Sequence, residues 1–469
     1  MTPSPATAAP DPRARAAAVS HAIAERLADP EGALAQAPGR APSSLDDGHP
    51  AMTLLCAELS HEAPELRRAA HAHLAAGAAL LTGGPPQSLF RGGVPALAFA
   101  AHAARRTPDD YAGLLARLDT ALDRVTRGAL EPERARLDAG RAGVGYWRYD
   151  LINGITGLTR LLLLRRATHP EASAAALTYL VRLTRPLTRD GAPVPGWWSP
   201  DGPGAPGDPH PEYPRGHVNF GLAHGISGPL AVLSAALRDG VSVPGLREAV
   251  TALVAELLAH RTEAGGWPAW TALERYGTEP PAPGRTAWCY GTPATAAALH
   301  QAGRALGDTG LRILAADALA DDLDRPRRVT DHAFCHGHAG LLHLCHTLTE
   351  DTPHPRLTDH RDALAARLVA AYDPELPYGF PAVAAAADPD VPYGPRPPAA
   401  REGTADPDLP YGARTAPASE RPGPPDPVGG GTPAGPGLLS GAAGIALALH
   451  AYATDAPPRT SWDAAFLLR

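Results

Sequence analysis

The chain has 469 residues, enough for a large core and, by length alone, for two or three domains. Its formal net charge is −7 and 19% of its residues are charged, which excludes the basic face of a nucleic-acid binder. All 42 basic residues are Arg and none is Lys, a bias that goes with the abundance of Ala, Pro and Gly and points to codon usage.

The N-terminal stretch MTPSPATAAPDPRARAAAVS lacks the apolar core of a signal peptide. No later run reaches the roughly 18 apolar residues of a membrane span. Residues 1–11 read as a disordered tail and 12–469 as a single domain without membrane insertion. A cytoplasmic location follows, where thiols stay reduced. The four cysteines are then free thiols or metal ligands before they are disulfides.

From residue 90 onward a short glycine motif followed by an apolar helix recurs six times. The copies are FRGGVPALAFAAHA (90–103), LINGITGLTRLLLL (151–164), LAHGISGPLAVLSAAL (222–237), CYGTPATAAALHQAG (289–303), CHGHAGLLHLCHTL (335–348) and LSGAAGIALALHAYA (439–453). Their first glycines are Gly92, Gly154, Gly225, Gly291, Gly337 and Gly441. Three residues on stands a second small or turn-forming residue: Pro95, Gly157, Gly228, Ala294, Gly340 and Gly444. Between the motifs lie amphipathic helices such as 243–260 and 309–324, with apolar residues at i, i+3, i+4, i+7. The glycine-led helices are apolar nearly all round and read as buried. Six outer and six inner helices could stack as an open solenoid or close into a ring. The first and last units look as buried as the middle ones, which favours an all-α, α/α toroid.

Residues 380–436 read as a flexible Pro/Gly-rich insert. Three near-copies of one heptapeptide stand at its start and within it: DPELPYG (373–379), DPDVPYG (388–394) and DPDLPYG (406–412). The first belongs to the fold, and the other two read as slipped duplications.

Cys289 and Cys335–His336 each begin an inner helix, so all three sit at one end of the ring. Two thiolates and an imidazole suit zinc, and three protein ligands leave the open fourth position of a catalytic site. One such motif alone is as well explained by small core residues; two cysteines in equivalent slots of a repeat are not. Cys345 lies about three turns along the same helix, and Cys56, in AMTLLCAELS, falls on an outer helix; both read as buried small hydrophobes. His338 is an alternative ligand to His336. Asp150, His224 and Arg285 occupy motif ends, where an acid, an imidazole and a guanidinium would make an acid–base set with a fixed cation. Each taken alone is equally a helix cap or a rim ion pair.

In these motifs the chain resembles the lanthionine synthetase C-like cyclases. The resemblance rests on GLAHG (221–225), WCYG (288–291) and CHG (335–337), in that order. The YD at 149–150, Arg285 before Cys289, GLLSGAAGIALAL (437–449) and SWDAAFLL (461–468) add to it. It implies one zinc per chain on Cys289, Cys335 and His336. It also implies the reaction: addition of a peptide Cys thiol to dehydroalanine or dehydrobutyrine, closing a lanthionine or methyllanthionine ring. Arg285 would then stabilise the enolate, and His224, held by Asp150, would deliver the proton. Tyr290 would line the substrate pocket. The substrate would be a dehydrated precursor peptide, and the partners a separate dehydratase and an exporter, because no dehydratase-like domain precedes residue 50. Two other readings use the same residues. One is addition of a small thiol such as glutathione to an activated alkene. The other is a non-catalytic, zinc-bearing scaffold that binds peptides.

Overall fold

The computed structural model describes residues 11–35, 41–81, 84, 87–203, 211–278, 282–327, 329, 331–381 and 435–469. Residues 1–10 of the expected 1–11 tail and nearly all of the expected insert, residues 382–434, lie outside the described residues. Asp11 caps the first helix, its carboxylate accepting from the Arg13 N–H.

Among the described residues, fourteen long helices form two concentric layers. The inner layer is α3 (His49–Leu59), α5 (Val94–Ala103), α8 (Ile155–Leu164), α10 (Ser227–Arg238), α12 (Gly291–Leu306), α14 (His338–Thr349) and α16 (Ala442–Thr454). The outer layer is α1 (Pro12–Arg26), α4 (Leu66–Ala79), α6 (Ala112–Asp138), α9 (Pro170–Leu183), α11 (Leu246–Ala259), α13 (Thr309–Asp324) and α15 (Pro355–Ala371). Two short helices, α2 (Pro30–Ala35) and α7 (Tyr146–Tyr149), lie in connections. Every inner helix packs on the next and α16 packs on α3, so the inner layer closes into a ring. The α/α toroid expected from the sequence is the fold. No helix among the described residues is long and apolar enough to cross a membrane.

The count of pairs is corrected: the described residues hold seven, not six. The additional inner helix is α3, which places Cys56 in the inner layer and not the outer one. Its motif stands in DDGHPAM, where Ala51 follows Gly48 by three places as Ala294 follows Gly291. The geometry is also that of the other copies. Gly48 precedes α3 at φ −114°, ψ −172°, as Gly337 precedes α14 at φ −119°, ψ −166°. In six pairs the outer helix follows its inner partner. In the seventh, α16 pairs with α1, so the two ends of the described chain close the ring.

The glycines are required by close approach. A Cβ on Gly337 would lie 1.9 Å from Asp331 Oδ1, and one on Gly340 would lie 2.0 Å from the Phe334 carbonyl oxygen. The loop before each inner helix thus folds back onto the helix start, and a larger side chain there would push it off.

These loops are joined around the ring by backbone hydrogen bonds at matching positions. Leu151 N–H donates to Ala223 (3.1 Å), Leu222 to Cys289 (3.0 Å), Cys289 to Cys335 (3.2 Å) and Cys335 to Leu439 (2.9 Å). Leu438 donates to Asp46 (2.9 Å), and Asp46 to Phe90 (3.2 Å).

The bore is filled from below by the C-terminal segment. Glu58, at the end of α3, accepts from Thr460 N (2.8 Å) and Arg459 N (2.9 Å). A 3₁₀ turn at Trp462–Phe466 then rises to the loop level. There Phe466 stacks on Phe334 with ring centroids 3.8 Å apart and meets Trp288 (5.0 Å) and Phe90 (5.7 Å). The chain turns down again, with Leu468 bonded to Gln301 and Arg469 paired with Glu350. Phe466 and Trp462 are wholly buried.

The described residues also hold two small antiparallel pairs: β1 (Leu187–Arg189) with β2 (Ala192–Val194), and β3 (His217–Asn219) with β4 (Trp270–Ala272). Three-residue strands are too short to carry a period-two signal, and the sequence does not show them.

Candidate metal centre

The residue just before each first glycine projects at the start of an inner helix. Around the ring these residues are Asp47, Arg91, Asn153, His224, Tyr290, His336 and Ser440. One place earlier stand Asp46, Phe90, Ile152, Ala223, Cys289, Cys335 and Leu439. One repeat position therefore supplies an imidazole, a phenol and a second imidazole in succession, and the position before it supplies two adjacent thiols.

Cys289, Cys335 and His336 converge: their ligand atoms all lie within 4.8 Å of one another. They are the group of that kind among the described residues. The bond from Cys289 N to the Cys335 carbonyl draws the two sulfurs together. Cys335 hydrogen-bonds to Cys289 and holds the Cys289 thiol well below its ordinary range; burial opposes this, and His336 and Arg285 add to it. The same bond pushes Cys335 up. Cys56 and Cys345 behave differently, both raised to about 12 by burial alone or nearly so. The four cysteines thus sort into one mutually hydrogen-bonded pair, with only Cys289 held down, and two buried apolar side chains.

His336 Nε2 lies 2.9 Å from Asp331 Oδ2. Burial works against the charged ring, but Asp331 and the Cys289 sulfur outweigh it and raise His336 to about 10. Asp331 also accepts from Ala333 N at 2.9 Å, so its own position is fixed. A carboxylate bonded to one imidazole nitrogen leaves the other free and aims it, the usual support for a metal-binding histidine. His338 does not join the cluster; its Nδ1 lies 3.3 Å from His332 Nδ1.

Asp150 is wholly buried and belongs to the loop before α8. Its Oδ1 accepts from Asn153 N (2.7 Å) and Gly154 N (2.8 Å), and its Oδ2 from Asn153 Nδ2 (3.0 Å). Oδ2 also meets His224 Nδ1 at 2.5 Å. The carboxylate therefore fixes the His224 ring and directs Nε2 away from itself. Tyr146 stands edge-on to His224 (5.6 Å) and Tyr290 lies tilted against it (6.2 Å). Trp270 of β4 meets Tyr290 edge-on at 5.3 Å, its indole N–H donating to Tyr213 Oη (2.7 Å). Gly221 lets this wall form, because a Cβ there would lie 2.5 Å from the Tyr290 ring. Arg285 is buried and acts electrostatically on both Cys289 and Asp331.

Sequence reasoning named seven of these residues and missed Asp331, Tyr146 and Trp270. Asp331 had a signal: it stands six residues before Gly337, as Arg285 stands six before Gly291. Trp270 had none, since it arrives on a strand from outside the repeat.

The chain resembles known proteins in the same terms. It is 24% identical over 205 residues to the nisin biosynthesis protein NisC of Lactococcus lactis subsp. lactis, spanning 42% of this chain and 48% of that one. It thus covers about half the length of that curated relative. A solved structure described as nisin cyclase shares the fold, with a TM-score of 0.69, 18% identity and 96% of each chain covered. Neither likeness alone fixes ancestry at such identity, but the family model for lanthionine synthetase C-like proteins runs from residue 39 to 393 and takes in all three motif loops of the mouth. The chain belongs to the lanthionine synthetase C-like protein family.

Proposed function

We propose that the chain is a zinc-dependent peptide cyclase that closes lanthionine or methyllanthionine rings in a dehydrated precursor peptide. The observation that carries this reading is the meeting of a Cys–Cys–His cluster with a carboxylate-held histidine in one mouth. The donor set fits zinc: two sulfurs, one of them readily deprotonated, and an imidazole already aimed by Asp331. Cys289, Cys335 and His336 would hold the ion, and its charge would supply the chemistry that lets a substrate thiol ionise near neutral pH.

The protein's own residues do the rest. In the reaction the peptide sulfur bonds to the β-carbon of the dehydro residue, the double bond opens, and a proton goes to the α-carbon. His224, with Nδ1 engaged by Asp150, presents Nε2 as the proton donor. The Arg285 guanidinium offsets the negative charge that develops on the substrate carbonyl. Tyr290, Tyr146 and Trp270 form an aromatic wall that packs against the planar dehydro residue. Such a substrate is the product of a reaction that dehydrates Ser or Thr.

The test is the free-thiol count. The protein is incubated with a dehydrated Cys-containing peptide, the product alkylated, and the adducts counted by mass spectrometry. Fewer adducts than in a no-enzyme control, at unchanged backbone mass, are expected. Incorporation of added glutathione with the peptide thiols left free would favour small-thiol addition. Consumption of neither would favour a binding scaffold.

A further inference from the structure

The heptapeptide DPELPYG (373–379) leaves α15 and docks on a seat made by the end of α1 and by α2. The Arg26 guanidinium donates to the carbonyl oxygens of Leu376 (2.5 Å) and Pro374 (2.6 Å). The Tyr378 hydroxyl, buried, donates to the Ala33 carbonyl (3.1 Å). The peptide holds its own shape. Asp373 Oδ1 accepts from Glu375 N (2.9 Å), Asp373 N donates to the Gly379 carbonyl (2.9 Å), and Gly379 sits at φ +79°.

The requirements of this seat are few: Asp at the first place, carbonyls at the second and fourth, Tyr at the sixth and Gly at the seventh. DPDLPYG (406–412) meets all of them, with Asp406, Tyr411 and Gly412 in those places and Leu409 at the fourth. Residues 388–394 meet them with Val391 in place of leucine. We infer that the seat is a recognition site for this heptad, and that residues 406–412 of the same chain are its second occupant. Twenty-six residues separate Gly379 from Asp406. At about 3.3–3.6 Å per extended residue the reach is ample, and the loop-closure cost grows slowly with length.

The first copy is the stronger occupant because of its flanks. Tyr372 and Phe380 pack together (6.0 Å), and Phe380 packs on His332 (5.7 Å). The third copy has Ala405 and Ala413 in those places. Exchange therefore withdraws Phe380 from His332, the neighbour of Asp331 in the loop that carries Cys335 and His336.

A double-mutant cycle on the full chain tests this, without reference to activity. Tyr378→Ala, Tyr411→Ala and the double variant are compared by hydrogen exchange at residues 30–35 and by thermal melting. Tyr411→Ala alone should change nothing, and Tyr378→Ala alone little, because 406–412 takes the seat. The double variant should lose roughly tenfold in protection beyond the sum of the singles. Tyr378→Phe with Tyr411→Phe repeats the cycle by removing only the hydroxyls, should the alanine pair fail to fold. Additive effects would overturn the inference. Coupling of Tyr378 to Tyr393 would assign the seat to 388–394 instead. Coupling that appears only at high protein concentration, with a dimer on gel filtration, would assign it to a second chain.

Discussion

Cys289 donates its backbone N–H to the carbonyl of Cys335, and the two residues hold the same place in neighbouring units of the ring. The hydrogen bonds that join the loops are thus also what brings two thiols 46 residues apart in sequence to one point. Cys289→Ala or Cys335→Ala should remove most of the zinc found by elemental analysis. Cys56→Ala and Cys345→Ala should leave it, since both side chains lie away from the cluster. Equal zinc in all four variants would remove the centre from this position.

Asp331→Asn should weaken metal binding by about 10–100-fold, the usual effect of losing a carboxylate behind a ligating histidine. Competition with a chromophoric chelator measures it. Affinity equal to the parent would mean that the Ala333 N–H and not His336 is the important partner of Asp331.

His224→Ala should keep zinc and lose about 10²–10⁴ in cyclisation rate, the contribution of a positioned proton donor. Asp150→Asn should reduce the rate as well and also lower the melting temperature, because the same carboxylate holds the Asn153 and Gly154 amides. Full activity in His224→Ala would move the proton to another group.

Buried histidines set an acid limit on stability. Burial lowers His73, His102 and His217 to about 4 and His346 to about 3, from an ordinary value near 6.5. Between about pH 6.5 and 4 the unfolded chain therefore binds more protons than the folded one. Stability should fall as pH drops through that window, each group contributing up to about 1.4 kcal/mol per pH unit. Melting temperatures at pH 7.5, 6, 5 and 4.5 report it, and a flat profile would contradict the assignment.

Phe466→Ala should destabilise the protein by about 3–5 kcal/mol. It removes a ring packed against Phe334, Trp288 and Phe90 where nothing else can fill the space. Zinc content measured on the refolded variant separates this from damage to the centre.

Much of this was legible in the sequence because the fold repeats. A glycine followed three places on by a second small or turn-forming residue marks an inner helix, and it placed Cys289 and Cys335 in matching slots before any coordinates. Reading missed one pair of seven at Gly48, although Ala51 three places on keeps the spacing that Gly291 and Ala294 show. It failed too where a contact comes from outside the repeat. Trp270 arrives on a three-residue strand, and the burial of Phe466 depends on a segment whose own sequence carries no period. Local pattern encodes the ring; what fills its bore and walls its mouth is fixed by tertiary packing.

The filled bore has a topological consequence. With Phe466 seated among Phe90, Trp288 and Phe334, the bore formed by the described residues is plugged, a cup and not a tunnel. Under the proposed activity, a peptide segment would enter such a cup as a loop and withdraw by the way it came.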